Sequence, residues 1–160
     1  MKKLILIFIL LMMCGCGKKP ISPMQTEVPQ LKDFDVASIE WPDYEIHEIT
    51  EKMFIGQIND VYYNYKDYQN KYIKYEGIFI TLPGSEMDYR LVMRYGPGCC
   101  ADDGFVGFQV YYEGTYPKQN EWVEVIGLVK EYEVDGANAY VLHIKELTIK
   151  DKKGKTYVDQ

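Results

Sequence analysis

Between residues 73 and 144 the apolar side chains of this chain fall on every second position in five separate runs, a period that belongs to strands. The first run is Ile73, Tyr75, Gly77 and Phe79, the second Tyr89, Leu91, Met93 and Tyr95, and the third Val106, Phe108, Val110 and Tyr112. Val123, Val125, Gly127 and Val129 make the fourth, and Tyr140, Leu142 and Ile144 the fifth. Successive side chains of an extended chain point to opposite faces, so each run describes a strand that turns one face to a core. The segments between them carry turn residues: Pro83-Gly84, Gly96-Pro97-Gly98, Gly114 with Pro117, and Asp135-Gly136.

One helix precedes the strands. Within residues 51–68, Phe54, Ile58, Val61, Tyr65 and Tyr68 recur at steps of four, three, four and three, which places them on one helical face. Thr50 is the expected N-cap, Glu51 suits the positive end of the helix, and Asn64 and Tyr65 weaken its last turn. Two of the strands share a form, Lys-Tyr-Ile-Lys-Tyr-Glu-Gly at 71–77 and Glu-Trp-Val-Glu-Val-Ile-Gly at 121–127. Glycine inside a strand costs stability, and its common use is to permit a sharp bend, as at a barrel corner. The expected fold is mainly β: a five-stranded antiparallel barrel of the OB type, closed or nearly so, preceded by one α-helix. An open sheet with the helix packed on one face is the plainer alternative.

The start of the chain speaks to location. Lys2 and Lys3 precede an unbroken apolar run at 4–13, followed by Cys14, Gly15 and Cys16. Ten residues are too few to cross a hydrocarbon core, which needs about 20, so the run suits the apolar part of a secretory signal. A small residue belongs just before a lipid-accepting cysteine. Gly15 meets that need for Cys16, whereas the bulky Met13 precedes Cys14. The pattern resembles the bacterial lipobox, with Met13 and Cys14 departing from its usual residues. Residues 1–15 are thus expected to be a lipoprotein signal peptide. Residues 16–40, with Pro20, Pro23 and Pro29, are expected to form a flexible tether, and residues 41–160 one OB-like domain. Acyl chains such as palmitate on Cys16 would hold it on the extracytoplasmic side of a cell membrane, since each buried methylene contributes about 0.8 kcal/mol.

Charge limits the partners. Without residues 1–15 the chain has 16 basic against 24 acidic side chains, a net charge of −8. Such a domain repels phosphate backbones, so nucleic acid is not an expected partner. Nor is there a nucleophile with an evident base, a phosphate-binding glycine loop or a metal-hydrolase motif, so no enzymatic activity is expected. A binding or accessory module fits better, one that takes a metal ion or a partner protein through the loop at 99–103, with a purely structural module that meets a protein by its open sheet face as an alternative.

The most unusual stretch is Arg-Tyr-Gly-Pro-Gly-Cys-Cys-Ala-Asp-Asp-Gly at 94–104, between the second and third strands. Three readings of it compete. Cys99 and Cys100 are candidate thiolate ligands of a soft metal such as zinc, with Asp102, Asp103 and a histidine, His143 on the last strand or His47 before the helix. The two thiols could instead form a vicinal disulfide, strained because their Cα atoms sit about 3.8 Å apart, and hence suited to a redox switch. In the plainest reading one cysteine packs as a small hydrophobe while Asp102 and Asp103 hydrogen-bond the turn. Asp88, Arg90 and Arg94 alternate opposite the second apolar run and read as a polar binding surface or a solvated face. His143 alternates with Leu142 and Ile144, so it is expected to be exposed and unpaired. The tyrosines suit core and rim packing as well as stacking platforms.

Taken in order, these segments resemble a known family. Ile-Asn-Asp-Val-Tyr-Tyr-Asn at 58–64, the strand at 71–77, Arg94 shortly before Cys99-Cys100-Ala101-Asp102, and the strand at 121–127 are similar to the C-terminal domain of the YcgQ-type small subunit of a bacterial two-component permease. That domain is itself of unknown function. The resemblance covers about residues 45–149 and implies an extracytoplasmic OB-like domain that works beside a membrane permease, for a metal or another small solute. It carries over Cys99, Cys100 and Asp102. This chain has a lipid-anchor signal where the family subunit has transmembrane helices.

Overall fold

The alternating runs do form strands, and their glycines mark where the sheet bends. The computed structural model describes residues 39–84, 88–98, 101–134 and 136–159, with backbone alone at 98, 101–103 and 134. In chain order the elements are β1 (Glu45–Glu48), α1 (Phe54–Tyr63), β2 (Lys71–Leu82), β3 (Tyr89–Gly98), β4 (Ala101–Tyr111), β5 (Trp122–Val134) and β6 (Ala137–Ile149). Spatially the strands run β1-β2-β3-β4-β6-β5, and β5 pairs back with β2, so that five of them close into a barrel of OB order.

The barrel is mixed, not wholly antiparallel. β4 runs parallel to β6, from Gln109 beside Val141 to Tyr111 beside His143. The reason is arithmetic: strand direction can alternate all the way round a closed ring only if the number of strands is even. Five strands therefore demand one parallel neighbour. β1 adds a second parallel pairing outside the ring, against Lys71 to Lys74 of β2.

Inside the ring lie Ile73, Tyr75 and Phe79 of β2, Phe108 and Val110 of β4, Val123, Val125 and Val129 of β5, and Leu142 and Ile144 of β6. Phe54, Ile58 and Val61 of α1 complete this core. The Tyr75 hydroxyl donates to Val92 O at 2.8 Å, so the one polar atom this ring carries into the core is satisfied. Gly77 and Gly127 are the close approaches expected of them. A Cβ on Gly77 would lie 2.9 Å from Met93 O, and one on Gly127 only 2.0 Å from His143 O, beside a register shift in the β5–β6 pairing.

Two expectations are corrected here. On β3 it is Val92 that enters the core, while Leu91 and Met93 face outward into a second cluster with Ile78, Ile80 and Trp122. Arg94 accordingly lies on the covered side, 3% exposed, and is no part of a solvated face. The chain after β6 provides the cover: Tyr95 N donates to Thr156 O at 2.8 Å, Val158 N donates back to Tyr95 O at 2.9 Å, and Val158 is buried. A strand covered on both sides loses the polar alternation from which its phase would be read.

The helix is shorter than its apolar period. Residues Glu51–Met53 form a 3₁₀ turn, α1 follows, and Tyr65–Asp67 form another 3₁₀ turn as the weak end at Asn64 unwinds. Thr50 does not cap α1 with its side chain. Its N–H and hydroxyl instead donate to Gln57 Oε1, at 2.8 and 3.0 Å. No helix among the described residues is long and apolar enough to cross a membrane.

Candidate functional site

β4 and β6 are paired over only three residues, Gln109 to Tyr111 against Val141 to His143. Ahead of that contact the two strands part, and Tyr62 at the end of α1 stands in the gap. Its ring stacks on Phe108 with centroids 4.8 Å apart and meets Tyr140 edge-on at 5.5 Å. Its hydroxyl donates to Gly107 O at 2.8 Å, and burial pushes its pKa well up, which keeps the proton in place. Over this floor lies a groove of about 410 Å³ walled by Leu82, Tyr89, Leu91, Phe105, Gln109 and Tyr140.

The groove is mainly apolar, with Gln109 and Asn138 among its lining residues. Phe105 is 58% exposed on its wall, a large cost in apolar hydration left in place. Gln109 is 8% exposed, and its Nε2 has no hydrogen-bond partner. A buried donor left unpaired costs about 1–3 kcal/mol. The sequence offers a signal for this wall: Leu91, Val92 and Met93 are consecutive apolar residues, the mark of a strand covered on both faces. Gln109, between Phe108 and Val110, reads only as the outward partner of two core residues.

At the other end of β4 lies His143, which is 1% exposed and not the free surface histidine expected. It does point out of the barrel, but Tyr111 and Tyr132 pack on it, with ring centroids 5.3 and 5.8 Å away. Nε2 lies 2.6 Å from the Tyr132 hydroxyl and Nδ1 has no partner. Burial, helped by Lys130, lowers its pKa from 6.5 to about 4. A depressed histidine pKa means that the unfolded chain takes up the proton first. The stabilisation is therefore complete above pH 6.5 and is lost as the pH falls towards 4, by roughly 3 kcal/mol at most. Urea midpoints of the wild type should fall over that window, and those of His143→Phe should fall less. Equal slopes would show that His143 is not the group responsible.

A family model for the DUF1980 C-terminal domain matches residues 43–159. The chain belongs to that family. No curated protein matches it. The matched span takes in all six strands and α1 of this DUF1980 domain, and so both the groove and the His143 environment.

The residues singled out from the sequence do not all assemble in this DUF1980 domain. Cys16, Cys99 and Cys100 lie outside the described residues, and Asp102 and Asp103 are placed by backbone alone, at the start of β4. Gly98 at the end of β3 pairs with Ala101 at the start of β4. His143 pairs with Tyr111, ten residues farther along β4 than Ala101. At about 3.3 Å per residue that is roughly 30 Å of strand between His143 and the start of β4 at Ala101. His47, on β1, packs edge-on against Tyr68 at 5.1 Å. Among the described residues no three His, Cys, Asp or Glu side chains gather in a metal-binding group.

Proposed function

We propose that this DUF1980 domain is a non-enzymatic binding module, held on the outer side of a cell membrane by lipid on Cys16, that takes an apolar segment of a permease-type membrane protein in the groove between β4 and β6. The single observation that carries the reading is the apolar groove with Phe105 and Leu82 exposed on its wall. A protein segment supplies what the groove lacks, apolar side chains to cover Phe105 and Leu82. The resemblance to the YcgQ-type subunit favours a permease over other membrane proteins. The lipid anchor would supply in this chain the membrane proximity that transmembrane helices supply there.

Native electrophoresis of the mildly solubilised, lipidated chain tests this. Wild type should migrate with a larger membrane protein, and Leu82→Asp with Phe105→Asp should migrate alone while melting as a folded domain. Wild type migrating alone, or an unchanged complex in the double variant, would refute the reading.

A soft metal ion on Cys99 and Cys100 is the second reading, favoured by two adjacent thiols followed closely by Asp102 and Asp103 in the sequence. Metal analysis of the reduced chain decides it. Stoichiometric zinc that is lost on Cys99→Ser with Cys100→Ser would establish it, and absence of zinc from the reduced wild type would remove it.

A further inference from the structure

Past the end of α1 the chain passes through the 3₁₀ turn Tyr65–Asp67, and this turn faces the paired strands β5 and β6. Between them lies a pocket of about 510 Å³, within the roughly 300–1,000 Å³ usual for small-ligand sites. Its walls include Tyr63, Tyr65, Lys66, Asp67, Glu131 and Tyr140.

One residue holds these walls in position. Glu131 N donates to the Tyr65 hydroxyl at 3.3 Å, and Glu131 Oε1 accepts from Asn138 Nδ2 at 2.7 Å and from the Tyr140 hydroxyl at 2.9 Å. The two tyrosine rings anchored in this way have centroids 5.1 Å apart and planes 54° apart, so they form an angled pair of apolar surfaces. Burial raises the pKa of both hydroxyls, which therefore stay protonated. An exposed glutamate ordinarily samples many rotamers, but this one is fixed through Oε1, and its Oε2 accepts from none of the described residues. The result is a carboxylate oxygen pre-positioned beside two fixed rings.

The remaining lining narrows what could occupy the pocket. Asp67 and Glu131 repel an anion, and Lys66 opposes a cation. An apolar body would strip water from all three charges without replacing it. Hydroxyl groups suit both signs, because each can donate to a carboxylate and accept from an ammonium. A sugar ring whose hydroxyls are equatorial also presents flat C–H faces to aromatic rings, and Tyr63, the last residue of α1, offers a third ring that is 85% exposed. We propose that this pocket binds a short neutral saccharide of pyranose rings with equatorial hydroxyls. Its C–H faces lie on Tyr63, Tyr65 and Tyr140, while its hydroxyls donate to Glu131 Oε2 and Asp67 and accept from Lys66. The pocket shares Asn138 and Tyr140 with the groove between β4 and β6, but its recognition is polar where that of the groove is apolar, and neither reading depends on the other.

Cellotriose, a neutral glucose trimer with equatorial hydroxyls, is the probe, titrated into the full-length chain while the backbone ¹H–¹⁵N signals are followed. Saturable shifts should gather at residues 63–67, 131 and 138–140. Tyr63→Ala should weaken binding about threefold by removing one stacking face, and Glu131→Gln about fivefold by removing the charged acceptor. Both positions are exposed, so both variants should keep the fold. The corresponding trimer of glucuronic acid, with the same rings and a carboxylate on each, should bind more weakly than cellotriose. A wild type with no saturable shift at millimolar cellotriose, shifts confined to other residues, an anionic trimer bound as tightly, or either variant binding as the wild type does would overturn the proposal.

Discussion

Gly127→Ala should remove roughly 3 kcal/mol or more of folding stability. The methyl would stand 2.0 Å from His143 O, 2.8 Å from His143 C and 3.0 Å from Ile144 Cα. All three are backbone atoms of the neighbouring strand, so no side-chain rotation can relieve the clash. β6 would have to move away from β5, opening the pairing that carries the ring from β6 back to β2. Gly56→Ala is the opposite control. It lies in α1 with only Met53 Cε near, at 3.7 Å, and should stabilise the domain by about 0.5–1 kcal/mol through helix propensity. Urea denaturation of the two variants reads both signs. A Gly127→Ala protein as stable as the wild type would mean that the strands are not packed this closely.

Arg94→Ala comes next, with an expected loss of about 2–3 kcal/mol. The guanidinium lies 4.5 Å over Phe54 and 4.9 Å from the Trp122 ring. Its Nε donates to Glu76 O at 2.9 Å and its Nη1 lies 3.2 Å from Glu51 Oε2. Glu51 in turn accepts from Lys155 N at 3.0 Å, so one side chain links α1, β2 and the chain after β6. Breaking a buried ion pair usually costs about 3–5 kcal/mol, but the Glu51 side chain is 42% exposed and stays solvated when its partner leaves. The cost therefore comes chiefly from lost stacking and from the unpaired Glu76 carbonyl, which places it below that range. Arg94→Met, which restores apolar contact without the charge, should recover about half of the loss. No recovery would assign the effect to the ion pair.

The sequence made the architecture legible because most strands obey a single rule. In β2, β4, β5 and β6 the residues at alternate positions are the ones that fill the barrel, and Gly77 and Gly127 mark the close approaches. β3 breaks the rule. Its run Leu91-Val92-Met93 is apolar on both faces, since Val92 enters the barrel core while Leu91 and Met93 join an outer cluster with Ile78, Ile80 and Trp122, and nothing local announces partners from other strands. His143 fails in the same manner: strand parity places it outside the barrel correctly, but Trp41, Tyr132 and Tyr111 arrive from three other parts of the chain. The groove was hidden for a related reason. It exists because β4 and β6 pair over three residues and then part, a property of the closed ring which neither strand's own sequence encodes.

A photo-reactive benzoyl-phenylalanine at Phe105, in the full lipid-anchored chain and in living cells, tests the binding role of the groove most directly. The same group at Glu146, an exposed position of β6, serves as the reference. Illumination should give one adduct from position 105, identified by mass spectrometry as a permease-type integral membrane protein, and none from position 146. No adduct from 105, or the same adducts from both positions, would contradict the account.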